Sequence, residues 1–242
     1  MSKPTVMDRK DLKQPDKFQE AAVQAASWMA SRKKHVVLAG AVAVGVLAIV
    51  VVFAAVQAQR AETAGSALGS LLGAAGGDIS SVPLPGMTGP VYPNEEAKQR
   101  AVISKADELL AGYGQTRAAE LAALVKGDAH YQLREWDQAG QAYDRYLKET
   151  PKEDPLRFGA LEGLALVAEA KGDLGGAAQG YERMASEAPR FADRADLERA
   201  RVLEAAGKTA EARAILAAFS DRHKESLLAP QAAQQLGRLG AR

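Results

Sequence analysis

"AEAKGDLGGAAQGYERMASEAP", Ala168 to Pro189, sets the architecture, because "HYQLREWDQAGQAYDRYLKETP", His130 to Pro151, says the same thing earlier in the chain. The two stretches have equal length, and each ends on proline. They share Ala139/Ala177, Gln141/Gln179, Tyr143/Tyr181, Arg145/Arg183, Glu149/Glu187 and Pro151/Pro189. A third copy appears when Ala212 is set beside Ala139 and Ala177. The preceding turns then align as "REWDQA" (Arg134–Ala139), "GDLGGA" (Gly172–Ala177) and "GKTAEA" (Gly207–Ala212), at spacings of 38 and 35 residues. Repetition at a period in the thirties is the mark of stacked helical hairpins, none of which buries its apolar face alone.

Two antiparallel helices that approach closely need small residues where they cross. Gly127, Ala165 and Ala200 meet that need on the first helices, and Ala139, Ala177 and Ala212 on the second. Larger residues one and two turns later fill the space between hairpins: Tyr143 and Tyr146, Tyr181 and Met184, Leu216 and Phe219. Pro151 and Pro189 stop the second helices, since proline lacks the amide donor and clashes with the preceding turn. The third copy has Lys224 there, with Pro230 later, and a last helix, "PQAAQQLGRLG", covers the open end. These features resemble tetratricopeptide repeats, whose basic period is about 34 residues. The repeats run at about 118–151, 156–189 and 193–224. Lys126, Arg199 and His130 stand where such a repeat expects apolar residues, which leaves the rotation of the first helices in repeats one and three open.

"VVLAGAVAVGVLAIVVVFAAV", Val36 to Val56, is of a different kind: 21 residues without a charge or strongly polar group. At about 1.5 Å per residue it spans roughly 31 Å, the thickness of a bilayer core. Its Val, Leu, Ile and Phe residues favour insertion by roughly 4 to 8 kcal/mol. The first 35 residues carry eight Lys or Arg against four Asp or Glu, with Arg32, Lys33 and Lys34 abutting the span; Gln57 to Arg242 carries 23 against 26. Positive charge stays inside, so the N-terminus is expected in the cytoplasm and the rest exported. "VQA" at Val56–Ala58 has the small-residue character of a cleavage site, but the leader and the apolar run are both long for a signal peptide, and an uncleaved anchor is the expectation.

Ahead of the span, residues 1–35 form a cytoplasmic tail with a short amphipathic helix over 15–34. Pro15 and Asp16 suit its start, and Phe18, Ala21, Ala22, Ala25, Ala26 and Met29 fall on one face. It reads equally as a docking helix or as one lying on lipid, with Trp28 at the interface. Residues 57–117 read as a degenerate hairpin. The helical spacing of Ala64, Ala67, Leu68, Leu71 and Leu72 follows directly from the span. A Gly/Pro-rich loop at 76–93, with Pro83, Pro85, Pro90 and Pro93, interrupts it. Asn94 then caps a helix that Gly112 and Gly114 end.

Net charge is +1 and cysteine is absent, which excludes disulfides and thiolate chemistry and gives no sign of a nucleic-acid partner. Abundant Ala and Gly with few aromatics favour closely packed helices. His35, His130 and His223 have no metal-ligand spacing. Ser31–Lys34 spells Ser-x-x-Lys without the partner motifs of serine acyl enzymes. "GYG" at 112–114 lacks a nucleotide fingerprint. Acid pairs such as Glu95/Glu96, Asp107/Glu108 and Glu153/Asp154 sit at helix starts or on solvated faces. The fold class is therefore all-α, one transmembrane helix followed by a repeat solenoid, and no enzyme, cofactor, metal or small-molecule substrate is expected.

A basic tail, one span and a stack of such hairpins resembles the YfgM-like family. That resemblance implies an ancillary subunit of the SecYEG translocon in the bacterial inner membrane. Such a subunit works beside a membrane-anchored periplasmic chaperone similar to a prolyl isomerase and receives exported chains. Stacked hairpins bind protein on the concave face lined by their first helices. On this register the face holds Leu121, Leu124, Asp128, Tyr131 and Gln132, then Glu162, Leu166 and Glu169, then Arg194, Leu197 and Arg201. A structural scaffold of another envelope complex, or a transmembrane regulatory adaptor, is the alternative.

Overall fold

The computed structural model describes residues 17–80 and 89–240; Pro15, Asp16, Pro83, Pro85 and Met87 lie outside the described residues. The chain forms two compact units, Met1–Ala58 and Gln59–Arg242.

In the first unit, α1 (Lys17–Ser31) stops short of the expected Lys34. The backbone turns at Arg32, whose guanidinium lies 5.0 Å from the centre of the Trp28 ring. The next helix, α2 (Lys33–Ala75), begins directly after. Val37, Leu38, Val42, Val44, Val46, Leu47, Ile49 and Phe53 are each more than half exposed. The helix is apolar on every side, and it is long and apolar enough to cross a membrane. Such a surface suits hydrocarbon, where the helix satisfies its own backbone, and is costly in water.

In the second unit the same helix has one covered face. Ala64, Leu71 and Ala74 are fully buried, one and two turns apart, and share a cluster with Val102, Ala106 and Leu109 of α3 (Glu95–Tyr113) and Ala118, Ala119, Ala122 and Ala129 of α4 (Arg117–Gln132). Lys105 donates to Ser70 Oγ at 3.0 Å across the same contact. The ends of the Gly/Pro loop are tied by two-residue parallel strands, β1 (Asp78–Ile79) and β2 (Val91–Tyr92), which sequence reasoning did not foresee. Gly77 permits this, because a Cβ there would come within 2.6 Å of the Tyr92 ring. The Asn94 side chain accepts from Ala97 N–H at 2.8 Å and caps α3.

Three hairpins follow: α4 with α5 (Trp136–Glu149), α6 (Arg157–Ala170) with α7 (Leu174–Glu187), and α8 (Ala192–Ala205) with α9 (Thr209–Ala217). The third second-helix breaks and resumes as the single turn α10 (Phe219–Arg222). The last helix, α11 (Ala229–Gly240), buries Ala232, Gln235 and Leu239 at the end of the stack. Ala139, Ala177 and Ala212 have no exposed surface. Tyr146, Tyr181 and Phe219 are among the largest fully buried side chains, each contributing about 1.5–3 kcal/mol of burial.

The hairpin turns share the same closing hydrogen bonds. Glu135, Asp173 and Lys208 N–H reach back to the carbonyls of His130, Ala168 and Leu203, each at 2.9 Å. Arg134, Gly172 and Gly207 N–H bond Tyr131, Glu169 and Glu204. This paired closure needs a left-handed residue just past the helix. Gly172 and Gly207 supply it, while the first turn forces Arg134 to φ 59°.

Candidate protein-binding site

All the residues expected on the binding face lie on α4, α6 and α8, but the structure sorts them into three groups. Leu197 is 4% exposed and belongs to the core between hairpins, so it is withdrawn from the surface. Its turn of α8 faces inward, with Ala200 and Leu203 buried beside it.

Glu162, Glu169, Arg194 and Arg201 pair with one another across α6 and α8. Arg194 Nη2 lies 2.6 Å from Glu162 Oε1. Arg201 donates Nη1 and Nη2 to the two oxygens of Glu169 at 2.8 and 2.7 Å, and Nε to Glu198 at 2.6 Å. A fork of this kind fixes both partners. The guanidinium holds the Glu169 carboxyl below the usual range, against the upward push of its partial burial. These charges staple the second repeat to the third.

The first repeat is arranged differently. Leu121 and Leu124 are half-buried, as is Leu166 on α6; Gln132 is exposed; the Tyr131 ring lies 5.0 Å from that of Trp136. Asp128 Oδ1 accepts the Tyr143 hydroxyl at 2.7 Å. The Tyr143 ring comes from α5 and fills a slot between two first helices. A Cβ at Gly127 or Gly163 would lie 2.6 or 2.4 Å from it. Gly163 escaped sequence reasoning because its counterpart in the third repeat is Glu198, so no small-residue column marks it. Burial pushes the Tyr143 phenol upward, and the Asp128 carboxylate adds to it. Asp128 is exposed; the protein around it pushes its carboxyl upward and the Tyr143 bond pulls it back.

The three misfit residues fix the rotations left open by the sequence. Lys126 pairs with Asp107 of α3 at 2.5 Å, and Arg199 with Glu182 of α7 at 3.0 Å. Buried His130 bonds Glu135 at 2.6 Å, and Glu135 also holds Arg100 at 2.6 Å. Arg100 first and His130 second keep the Glu135 carboxyl below its ordinary value. Each of the three side chains thus has a partner on a neighbouring helix or turn, although Arg199 Nε is buried without one. A cleft of about 420 Å³ opens between α3, α4 and α5, floored by Ile103, Leu110 and Ala123. Among the described residues no group of three His, Asp or Glu is placed to hold a metal ion.

The tetratricopeptide repeat family profile matches residues 104–154 and 124–192. The hairpins it covers are tetratricopeptide-like. Among solved structures, the chain is similar to nearly identical TPR-like repeats from a Podosopora anserina protein described as a kinesin light chain. Identity is 15% and the TM-score 0.49, over 60% of this chain and 78% of that one. A singly substituted form of the same repeats gives 15% identity and a TM-score of 0.48 over the same shares. No curated protein matches the chain. The tetratricopeptide profile stops at residue 192, short of the third hairpin, where α9 is brief and no proline closes the second helix.

Proposed function

We propose that this protein is a membrane-anchored adaptor whose tetratricopeptide repeats bind other proteins on the face of α4, α6 and α8. Tetratricopeptide stacks are protein-interaction modules, and the apolar helix gives this one a means of attachment to a membrane. The observation that carries the reading is the first-repeat part of that face. There Asp128, Tyr131, Gln132 and Leu166 reach solvent without being tied up in the inter-repeat ion pairs.

The finer reading places the stack on the periplasmic side of a bacterial inner membrane, with the N-terminus cytoplasmic. There it receives exported chains or partner subunits beside the Sec translocon. The excess of Lys and Arg before the span supports the sidedness, and the similarity of layout to YfgM-like proteins supports the setting. Photocrosslinking probes at Tyr131 and Gln132 in intact membranes test both levels. Crosslinks to translocating chains and translocon subunits are expected. A single stoichiometric partner unrelated to export would replace the translocon with a scaffold role. Protease digestion from the cytoplasmic side that removes the repeats would overturn the sidedness.

A further inference from the structure

The binding face is not neutral. It presents the carboxylates of Glu162, Glu169 and Glu198 against the guanidiniums of Arg194 and Arg201, and the carboxylate of Asp128 apart from them. The three glutamates share the two arginines. Asp128 is left over and takes part in no ion pair among the described residues.

An exposed carboxylate with no ion-pair partner is open to a cation. Tyr143 supplies one donor to Oδ1, whereas an ionised carboxylate offers about four acceptor sites. The donor is held firmly. Gly127 and Gly163 give up their side chains so that the Tyr143 ring passes between α4 and α6. The Tyr143 hydroxyl thereby fixes the orientation of Asp128 with one oxygen committed. The second repeat keeps nothing similar: Asp128 is replaced by Leu166 and Gly163 by Glu198. Around Asp128 the same face offers half-buried Leu124, Tyr131 and Leu166, which suit the aliphatic stem of a long cation.

We infer that the first-repeat end of this face takes a polypeptide segment carrying a lysine or arginine among apolar residues, the cation seated on Asp128 and its stem on Leu124, Tyr131 and Leu166. The inference rests on the reading of this face as a protein-binding surface, and it names the chemistry that the surface selects. Asp128 determines specificity, and Tyr143 is a positioning residue.

The test uses the full chain in detergent micelles and fluorescein-labelled amphipathic peptides of leucine, alanine and glutamine. One peptide has a single central lysine, its counterparts norleucine or glutamate. The lysine peptide is expected to bind about tenfold more tightly than the norleucine peptide, and the glutamate peptide most weakly. Asp128→Asn should erase the lysine preference. In the wild-type chain the preference should fade as pH falls through the upper part of the carboxylate range, a readout that stands even if the variant folds poorly. If lysine and norleucine peptides bind the wild type equally, or the preference survives Asp128→Asn, the inference is overturned while the binding face stands. If no peptide binds the wild type, the reading of the face falls with it.

Discussion

At the first junction between repeats, Tyr143 stands between Gly127 and Gly163. Arg157, at the start of α6, is buried there, 4% exposed, with Nη1 on Leu147 O at 2.7 Å and Nη2 on Glu187 at 2.9 Å. At the second junction, buried Tyr181 of α7 feels the charge of Glu198 on α8. Three arginines cross it: Arg194 and Arg201 keep 55% and 39% of their side chains exposed, and Arg199, which pairs with Glu182, keeps 25%. The same hairpin pairing is thus locked once by insertion and a buried cation, and once by a ladder of surface charges. On the proposed binding face the ladder pairs its own charges, whereas beside the insertion Asp128 has no ion pair among the described residues.

The two arginine classes offer the hardest test of that contrast. Arg157 reaches the carbonyls at the C-terminal end of α5, Leu147 O and Thr150 O, which no amide of that helix satisfies. Arg157→Ala strips these buried acceptors and opens a cavity, and should cost about 3 kcal/mol. Arg194→Ala removes an exposed pair and should cost no more than about 0.5 kcal/mol. Urea unfolding of the solubilised chain measures both; equal losses would erase the distinction between the junctions.

The slot around Tyr143 gives the next effect. Gly163→Ala drives a methyl into the ring at 2.4 Å, where the ring is held by two helices and its hydroxyl by Asp128. Overpacking of this kind costs about 1–3 kcal/mol, more than the helix propensity that alanine returns. Gly140→Ala, where a Cβ would meet only Val167 at 3.9 Å, should instead stabilise by about 0.5–1 kcal/mol. Thermal melts of the pair decide the matter, since a chain insensitive to both would have no slot.

Acid should separate the junctions by sign. Arg201 lowers the Glu169 carboxyl in the folded chain. That contribution is present above the unfolded value of about 4.3 and is lost as pH falls through the lower folded one. Asp128 is raised by crowding, so its protonation favours the fold, and its contribution is lost as pH rises through the folded value. Glu169→Gln should therefore flatten the acid limb of the stability curve by about 0.5–1 kcal/mol, discounted for partial exposure. Asp128→Asn should steepen it. Matching slopes in the two variants would remove the electrostatic difference between repeats.

The sequence displayed what repeats and hid what does not. Ala139, Ala177 and Ala212 recur at a fixed spacing, and each is buried where two helices cross. Val36–Val56 is apolar for a bilayer's thickness, and its large side chains from Val37 onward are bare. The first-helix face was legible in position, because helical spacing places Asp128 four residues beyond Leu124. The state of its charges was not. Glu162 meets Arg194 and Glu169 meets Arg201 across 32 residues, a distance set by how one hairpin leans on the next. Gly163 and Arg157 carry weight in one junction only, so no column of like residues announced them.

The smallest effect lies at the turns and is the most direct measure of how far the first repeat departs from its neighbours. Arg134 holds φ 59° where Gly172 and Gly207 hold 81° and 77°. A residue with a Cβ pays roughly 1–2 kcal/mol for that conformation. Glycine escapes the clash but has more freedom to lose on folding, which returns part of the gain. Arg134→Gly should therefore stabilise the chain by about 0.5 kcal/mol. Gly172→Ala and Gly207→Ala should each destabilise by about 1 kcal/mol, since nothing within 4 Å of either position resists the side chain and only backbone strain remains. A loss of stability in Arg134→Gly would mean that the arginine makes a contribution at the mouth of the first hairpin large enough to outweigh its strain, and that the three turns, alike in hydrogen bonding, differ in what holds them.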